Sequence, residues 1–296
     1  MLIKLELYRI FCEVAKRKSL SKAASVLYMT QPAVSQSIMQ LERELGLRLF
    51  TRTSKGVKLT NEGKILFEYA NPAINLIHKG EAKLNEWKNL SEGELKIGVG
   101  DTISRYFLMP YLEKFHKLYS NIKLKIINKT TLELCALVKS GEIDIAICNL
   151  PVEDSSLEVI SIMDIHDIFV CGKSYKQKIS EPLSLDSLAK YPLILLEPKS
   201  NSRRYVEKIF LSKGISIKPE IELGSHDLLL EFAKIDLGIS CVIEEFSKEY
   251  IDKKELFPVE LEEPIPKRSI GICFLKSVSL SPTASKFVQI LEKLDK

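Results

Sequence analysis

With 296 residues, the chain is long enough for two or three domains, and its apolar content of 45% and charged content of 28% are typical of a globular protein. No run approaches the roughly 18 consecutive apolar residues that a membrane-spanning helix requires, and the first residues lack the pattern of a signal peptide. Six scattered cysteines without a Cys-x-x-Cys pair favour a reducing cytoplasm and argue against disulfides or a zinc site, although a redox-sensing cysteine stays open. We therefore expect a cytoplasmic protein with no metal and no cofactor.

The charge is concentrated at one end of the chain. Residues 1–60, here called the head, carry eleven Lys and Arg against four acids, whereas the other 236 residues carry 32 basic and 35 acidic side chains. A basic head on a mildly acidic remainder is typical of a protein whose head binds a polyanion. A solvated basic surface would give the same count.

The head contains the signals of three helices. Apolar residues at helical spacing predict the first helix, and a short second helix is predicted over 22–27. Thr30 is a good N-cap for a third helix over 31–45, Pro32 fits its first turn, and Gly46 supplies a left-handed end.

The predicted third helix has two different faces. One face is apolar and is expected to point to the core; it holds Val34, Ile38, Leu41 and Leu45. The opposite face is mostly polar; it holds Pro32, Gln36, Met39, Gln40 and Arg43, with Ser35 on its flank. A short helix, a tight turn and a longer helix that is polar near its start form a helix-turn-helix, whose amides suit base edges and whose hydroxyls suit phosphates. An ordinary small helical domain is the alternative.

A hairpin is predicted next, over residues 49–59. Two short apolar segments flank a basic turn that ends in glycine, which is the pattern of a winged hairpin. Arg52 and Lys55 are placed on it to contact the phosphate backbone or a minor groove.

In these motifs the head resembles the N-terminal domain of LysR-type transcriptional regulators. The resemblance rests on Ala23-Ala24, Thr30-Gln31-Pro32-Ala33-Val34-Ser35, Ile38, Leu41-Glu42, Leu45-Gly46, Leu49-Phe50, Arg52 and Leu59-Thr60-x-x-Gly63 in one register. It implies that Gln31, Pro32, Ser35 and Gln36 meet double-stranded DNA. Many relatives have arginine in place of Gln36, and glutamine matches adenine where arginine matches guanine. The full predicted DNA-binding set is Lys22, Thr30, Gln31, Pro32, Ser35, Gln36, Gln40, Arg52 and Lys55.

Residues 61–90, the connector, predict one long helix that Asn61 can cap. Apolar and small residues recur at alternating spacings of four and three over three heptads, which predicts a seam for a partner helix and so self-association as a homodimer. The alternatives are packing on the chain's own surface and a kink at Pro72. The predicted dimerisation seam is Leu66, Ala70, Ala73, Ile77, Gly80, Leu84 and Trp87.

From about residue 91 the pattern becomes strand, loop and helix in repetition. The expected strands are 95–99, 122–127, 144–148, 168–170, 193–196, 239–243 and 270–274, and Ser281 caps a last helix. Such alternation predicts α/β lobes built on open, largely parallel sheets. We call residues 91–296 the body.

Ligands of such sheets bind at the carboxyl ends of the strands, where helix N-termini present N–H groups. The polar residues in those places form the predicted ligand-binding set: Gly100, Asp101, Thr102, Asn128, Thr131, Ser200, Asn201, Ser202 and His226. Helix N-termini favour an anionic or carboxylate-bearing small molecule. Arg203 either adds a cation or faces solvent. By itself, each serine or threonine is explained by N-capping, and His226 by a structural hydrogen bond.

The body resembles the effector domain of LysR-type regulators, which is itself similar to periplasmic binding proteins. The resemblance implies two lobes with the effector held between them and assembly as a homodimer or homotetramer. It implies these domains: residues 1–60, a winged helix-turn-helix; 61–90, a linker and dimerisation helix; 91–163 with 267–296, lobe I; and 164–266, lobe II.

Two other functions compete with this interpretation. Gly98-Val99-Gly100 after a strand is similar to a dinucleotide loop, but Ile103 stands where the third glycine belongs and no catalytic motif is found, so we do not expect an enzyme. A DNA-binding regulator whose body no longer senses a ligand is the remaining alternative.

Overall fold

The computed structural model describes residues 3–54, 56–88 and 93–292, with the side chains of 85–88 left undescribed. The chain forms two compact units. The first comprises residues 1–85 and 140–142, and the second comprises 86–139 and 143–296. Among the described residues, no helix is both long enough and apolar enough to cross a bilayer.

The head consists of three helices and a two-stranded hairpin, as predicted. The elements are α1 (Leu5–Arg17), α2 (Leu20–Leu27), α3 (Gln31–Leu45), β1 (Phe50–Thr53) and β2 (Gly56–Leu59). Local capping sets the helix boundaries: Ser19 Oγ accepts a hydrogen bond from Lys22 N, and Thr30 Oγ1 accepts one from Ala33 N. Gly46 ends α3 with a φ of 68°.

One apolar cluster holds the head together. Phe11, Val14, Ala23, Val34 and Leu41 are all buried in it. The two small alanines of α2 are almost fully buried, so they allow α1 and α3 to approach closely.

Glu42 joins the third helix to the hairpin. Its Oε1 accepts hydrogen bonds from Leu49 N at 2.7 Å and from Phe50 N at 3.1 Å. Since these two N–H groups start the first strand of the wing, the carboxylate satisfies donors that the β1–β2 ladder leaves open. This contact gives a physical reason for the acid in the Leu41-Glu42 pair.

The connector is a single helix, α4 (Asn61–Lys88), of 28 residues with Pro72 inside it. Leu66, Ala70 and Ile74 pack against the apolar cluster of the head. Part of α4 therefore serves the chain's own core.

The body is built on two five-stranded sheets. The first has the order β4-β3-β5-β12-β6 and the second the order β11-β7-β10-β8-β9. The strands are β3 (Gly93–Val99), β4 (Ile122–Asn128), β5 (Ile145–Asn149), β6 (Leu157–Ile165), β7 (Asp167–Cys171), β8 (Leu193–Leu196), β9 (Ile221–Leu223), β10 (Ile239–Ile243), β11 (Phe257–Val259) and β12 (Arg268–Leu275).

Helices flank both sheets. They are α5 (Asp101–Ile103), a π-helical turn (Ser104–Leu108), α6 (Met109–Leu118), α7 (Thr131–Lys139), α8 (Lys173–Lys178), α9 (Leu185–Leu188), α10 (Asn201–Ser212), α11 (His226–Lys234), α12 (Glu244–Asp252) and α13 (Pro282–Glu292). The π-helical turn ends two residues before Pro110, which lacks the N–H that a regular α-helix would use there.

Both sheets are mixed, and the prediction of largely parallel sheets is wrong in this respect. β12 lies antiparallel to both β5 and β6, and β7 lies antiparallel to both β10 and β11. The sequence pattern missed β6, β9 and β11; two of these are only three residues long and sit at sheet edges. Alternating apolarity identifies a strand but does not give its direction.

The chain passes between the two sheets twice. β6 ends at Ile165 and β7, in the other sheet, starts at Asp167, while β12 returns to the first sheet at Arg268. Residues next to the first passage and residues next to the second can therefore contact each other, at the base of a cleft between the lobes. Alternate residues of β5 pack on opposite faces of their sheet, as in a buried central strand.

Candidate functional site

The outward face of α3 holds the predicted reading residues. Gln31, Pro32 and Gln36 are exposed and Ser35 is partly exposed, while Val34 and Ile38 on the opposite face are buried. Gln40 is also partly exposed, and its side-chain amide donates to Glu44 Oε1 at 2.8 Å. The face therefore offers amides and a hydroxyl near the start of the helix.

The flanks of this face carry exposed cations. Lys22 on α2 and Arg52 on β1 are exposed, and neither forms an ion pair with another described residue. Thr30 is exposed as well, but its hydroxyl caps α3. Lys55, the other predicted wing residue, lies outside the described residues.

The predicted seam of α4 divides into two parts. Leu66 and Ala70 are used within the head, so their role in a partner interface is not supported by their packing. Ala73, Ile77, Gly80 and Leu84 are exposed, with 43% of Ile77 and 67% of Leu84 accessible. The side chain of Trp87 lies outside the described part of the chain.

A cavity of 280 Å³ opens between the two lobes of the body. It lies at the carboxyl ends of β3, β4 and β8 and at the start of α7, α10 and α11. The nine residues of the predicted ligand-binding set all border it: Gly100, Asp101, Thr102, Asn128, Thr131, Ser200, Asn201, Ser202 and His226.

The floor of this cavity is a buried polar network that the sequence pattern did not reveal. Arg268 Nε and Nη2 donate to the two carboxylate oxygens of Asp167 at 2.5 and 2.8 Å, with 2% of each side chain exposed. Arg268 also donates to Asn149 Oδ1 at 2.9 Å and to Ser202 Oγ at 2.9 Å. The Arg268 guanidinium therefore connects four parts of the body. These are the two inter-lobe passages, strand β5 of lobe I and helix α10 of lobe II.

Two predicted residues take part in this network. Ser202 accepts its hydrogen bond from Arg268, and Asn201 Nδ2 donates to the carbonyl oxygen of Asn149 at 2.7 Å. Both side chains thus hold the lobes together in this structure. A ligand that used them would have to exchange these contacts.

Arg203 does not face solvent. It is buried, and its guanidinium donates to Leu196 O at 3.1 Å and to Glu207 Oε1 at 2.6 Å, with Glu222 Oε1 at 3.5 Å. The helical pattern missed this because the residue sits in the first turn of α10, beside the end of β8. Its charge is balanced by acids of its own lobe.

His226 is a neutral residue in the wall of the cavity. Only 4% of it is exposed, and burial lowers its pKa from 6.5 to about 4, against a smaller raising effect from Asp227. Ile243 N donates to Nε2 at 3.2 Å, so the proton of the neutral ring is on Nδ1. This Nδ1–H has no acceptor among the described residues.

A second contact between the lobes lies next to His226. Arg105 Nη1 donates to Asp227 Oδ2 at 2.6 Å, and Tyr106 donates its hydroxyl to the other oxygen of Asp227. Burial, and then this hydrogen bond, raise the pKa of Tyr106. The π-helical turn brings both side chains to lobe II.

Burial disfavours the thiolate at Cys12, Cys171 and Cys241, whereas hydrogen bonds from Cys148 and Cys273 lower the pKa of Cys135. Five of the six cysteines are buried, and Cys241, which borders the cavity, is partly buried. Desolvation raises the pKa of Cys12 and of Cys171 to about 11 and raises that of Cys241 further.

One group of potential metal ligands occurs in the described residues: His166, Glu244 and Glu245. Glu245 already accepts hydrogen bonds from His166 N at 3.0 Å and from His166 Nδ1 at 2.7 Å. These two hydrogen bonds link the first inter-lobe passage to α12.

Two family models match the chain, and together they span nearly all of it. The model for "LysR substrate binding domain" matches residues 88–295, and the model for "Bacterial regulatory helix-turn-helix protein, lysR family" matches residues 5–64.

Among individual proteins, the RuBisCO operon transcriptional regulator of Allochromatium vinosum is 26% identical over 287 residues, which cover 97% of this chain and 95% of that protein. The HTH-type transcriptional regulator cbl of Klebsiella aerogenes is 28% identical over 242 residues, or 80% of this chain and 76% of that protein.

The fold is shared with solved structures. A full-length OxyR variant of Pseudomonas aeruginosa superposes with a TM-score of 0.73 at 20% identity, covering 99% of this chain and 94% of the other. Full-length CbnR complexed with its target DNA gives a TM-score of 0.65 at 19% identity, covering 98% and 99%.

Proposed function

The chain belongs to the LysR family of bacterial regulatory helix-turn-helix proteins, and from that premise we propose which residues of this protein read DNA, bind the effector and form the dimer. It is a DNA-binding transcriptional regulator with an effector-binding domain. The fold class predicted from the sequence, a winged helix-turn-helix, a long linker helix and a two-lobed α/β domain, is confirmed.

DNA is read by the exposed face of α3. The observation that carries this proposal is the division of α3 into a buried apolar face and an exposed polar face that begins at Gln31. Gln36 reads a base edge, with adenine as its best partner, while Lys22, Arg52 and Lys55 contact phosphates. Thr30, Pro32, Ser35 and Gln40 complete the contact surface.

Substitution of Gln36 tests this assignment. Gln36→Ala is expected to lose about 1–3 kcal/mol of binding free energy on the specific site and little on random DNA. Arg52→Ala is expected to weaken both and to reduce the slope of log affinity against log salt by about one. Gel shifts over a salt series measure both effects.

A matched control is Gln177→Ala, which removes an exposed glutamine from α8 in the body. It should change neither affinity. Equal losses on specific and random DNA for Gln36→Ala would remove Gln36 from base reading.

The effector binds in the cavity between the lobes. The nine polar or small residues predicted from four separate loops all border this cavity. Open α/β sheets bind their ligands at the carboxyl ends of their strands, where these loops lie. A carboxylate-bearing small molecule suits the three helix N-termini. We infer that the protein acts by binding and not by catalysis, and that it works in the cytoplasm, where its DNA is.

Self-association through α4 completes the proposal: a homodimer, which pairs further into a homotetramer. The four seam residues Ala73, Ile77, Gly80 and Leu84 lie on one side of α4 at heptad spacing, and all four are exposed in the described part of the chain. The small members allow close approach of a second helix.

Charged substitutions test the interface. Ile77→Glu combined with Leu84→Glu should give monomers with poor affinity for the operator, because four carboxylates would meet in the seam. Ile65→Glu is the control, since Ile65 is 60% exposed on the same helix but outside the seam. Light scattering gives the mass, and an intact dimer of the double variant would show that the main interface lies elsewhere.

A further inference from the structure

The charges around the inter-lobe cavity are not balanced. Its lining includes four acids and two permanent cations: Asp101, Glu133, Asp167 and Glu197, with Lys129 and Arg203. His226 adds no positive charge near neutral pH, because burial lowers its pKa to about 4.

Each cation at the cavity is already paired. Arg203 lies between Glu207 and Glu222, and the Arg268 guanidinium of the floor is fully used by Asp167, Asn149 and Ser202. Lys129 Nζ lies 3.7 Å from Glu133 Oε1. Among the described residues, the lining thus offers no cation that lacks an acidic partner, and Lys129, which is about half exposed, is the only one whose pairing is weak.

Two carboxylates, in contrast, have no cationic partner among the described residues. Asp101 on lobe I accepts only from Asn128 Nδ2, at 2.6 Å. Glu197 on lobe II has no side-chain partner in the described part of the chain, and its Oε1 lies beside the backbone of Gly224. Two uncompensated like charges on facing walls of a cleft create a negative potential that repels anions and attracts cations.

The wall of the cavity also holds one unused donor, on His226. The Nδ1–H of His226 is buried without an acceptor, which is uncommon for a buried polar group. The α7, α10 and α11 N-termini add partial positive charge on the same side. These groups suit the carboxylate end of a ligand.

We propose that the effector is a small zwitterion, with a carboxylate held by the helix N-termini and the His226 side of the cavity and an ammonium group held between Asp101 and Glu197. The inference rests on the proposed function, namely that this cavity is the effector site. A cavity of 280 Å³ is at the small end for ligand pockets, which suits a compound of amino-acid size.

Matched ligand pairs test the charge assignment. The full-length protein is titrated by calorimetry with a panel of α- and ω-amino acids, with the same acids carrying hydroxyl or hydrogen in place of the amine, and with the corresponding amines. At least one amino acid should bind about ten-fold or more tightly than its deaminated partner, as expected for a hydrogen-bonded charge pair.

Substitutions then locate the ammonium site. Glu197→Gln and Asp101→Asn, which keep the shape of the side chains, should each weaken the amino acid about ten-fold and leave the deaminated acid unchanged or bound more tightly. Glu181→Gln removes an exposed carboxylate outside the cavity and should change nothing. Thr102→Val, which changes the lobe I wall, should weaken every true cavity ligand.

The outcomes separate the two levels of the proposal. If a deaminated acid binds as tightly as its amino acid and Thr102→Val weakens it, the cavity is the effector site but the zwitterion assignment is wrong. Amino-acid binding that is unchanged in both Glu197→Gln and Asp101→Asn also overturns the assignment. Failure of every compound to bind would overturn the effector site and the zwitterion together.

Discussion

The head and the body place their polar side chains in opposite ways. On α3 the polar residues Gln31, Ser35 and Gln36 point outward, and the core behind them is entirely apolar. In the body, Arg268 and Asp167 are buried beneath the cavity and satisfy each other. The head therefore leaves its polar groups available for a partner, whereas much of the polarity of the body maintains the geometry of the two lobes.

This difference shows that lining a cleft and binding a ligand are separate properties. Ser202 and Asn201 border the cavity, yet their side chains bridge the lobes. Asp101 and Glu197 border the same cavity and have no cationic partner among the described residues. A residue's hydrogen-bond partners, more than its position, indicate which of the two roles it serves.

The largest effect is expected from breaking the buried ion pair. Arg268→Met leaves Asp167 charged and unpaired in the interior, and such a loss typically costs about 3–5 kcal/mol of stability. Urea unfolding of the body, followed by circular dichroism, measures it. The neighbouring pair Lys267–Asp164 is exposed, so Lys267→Met is the control and should have little effect. Equal destabilisation by both variants would show that the floor network does not hold the lobes.

An intermediate effect on stability is expected in the head, from the close approach of the backbone at Gly63 to the backbone at Leu49. A Cβ at Gly63 would lie 2.2 Å from Leu49 O, so Gly63→Ala must displace the backbone of the wing and should cost about 1–3 kcal/mol. Gly80, on the same helix, has nothing within 4 Å in its own chain, so in the monomeric Ile77→Glu, Leu84→Glu background Gly80→Ala should stabilise by about 0.5–1 kcal/mol. Thermal unfolding compares the two. The same sign for both would contradict the close approach at Gly63.

An effect that vanishes near neutral pH and grows only in acid is a pH dependence confined to the body. The folded-state pKa of His226 is about 4 against 6.5 unfolded, so its neutral form is favoured in the fold. Its contribution to stability is complete above about pH 6.5 and is lost as the pH falls toward 4, with a slope of at most about 1.4 kcal/mol per pH unit. His226→Gln should remove this slope, because glutamine can accept from Ile243 N without titrating. The free energy of unfolding is measured for the wild type and for His226→Gln between pH 4 and 6.5. The same pH dependence in both proteins would rule out a buried neutral histidine.

Most of the head was predictable because its determinants are local. Capping by Thr30, the left-handed glycine at Gly46 and the apolar spacing along α3 act within one or two turns of chain. The seam of α4 stays a prediction. Its periodicity is real, but Leu66 and Ala70 are used by the chain's own core, and a heptad pattern does not say which surface it meets.

The sequence by itself determined the helix-turn-helix, the hairpin, the alternation of strands and helices, and the loops that border the cavity, because each depends on residues close together in the chain. Only the tertiary structure decided the direction of β7 and β12 and the partners of the polar side chains. Arg268 and Asp167 are 101 residues apart, and they meet because the chain passes twice between the lobes. Which side chains are left unpaired to meet a ligand is settled by such long-range contacts, which no local pattern contains.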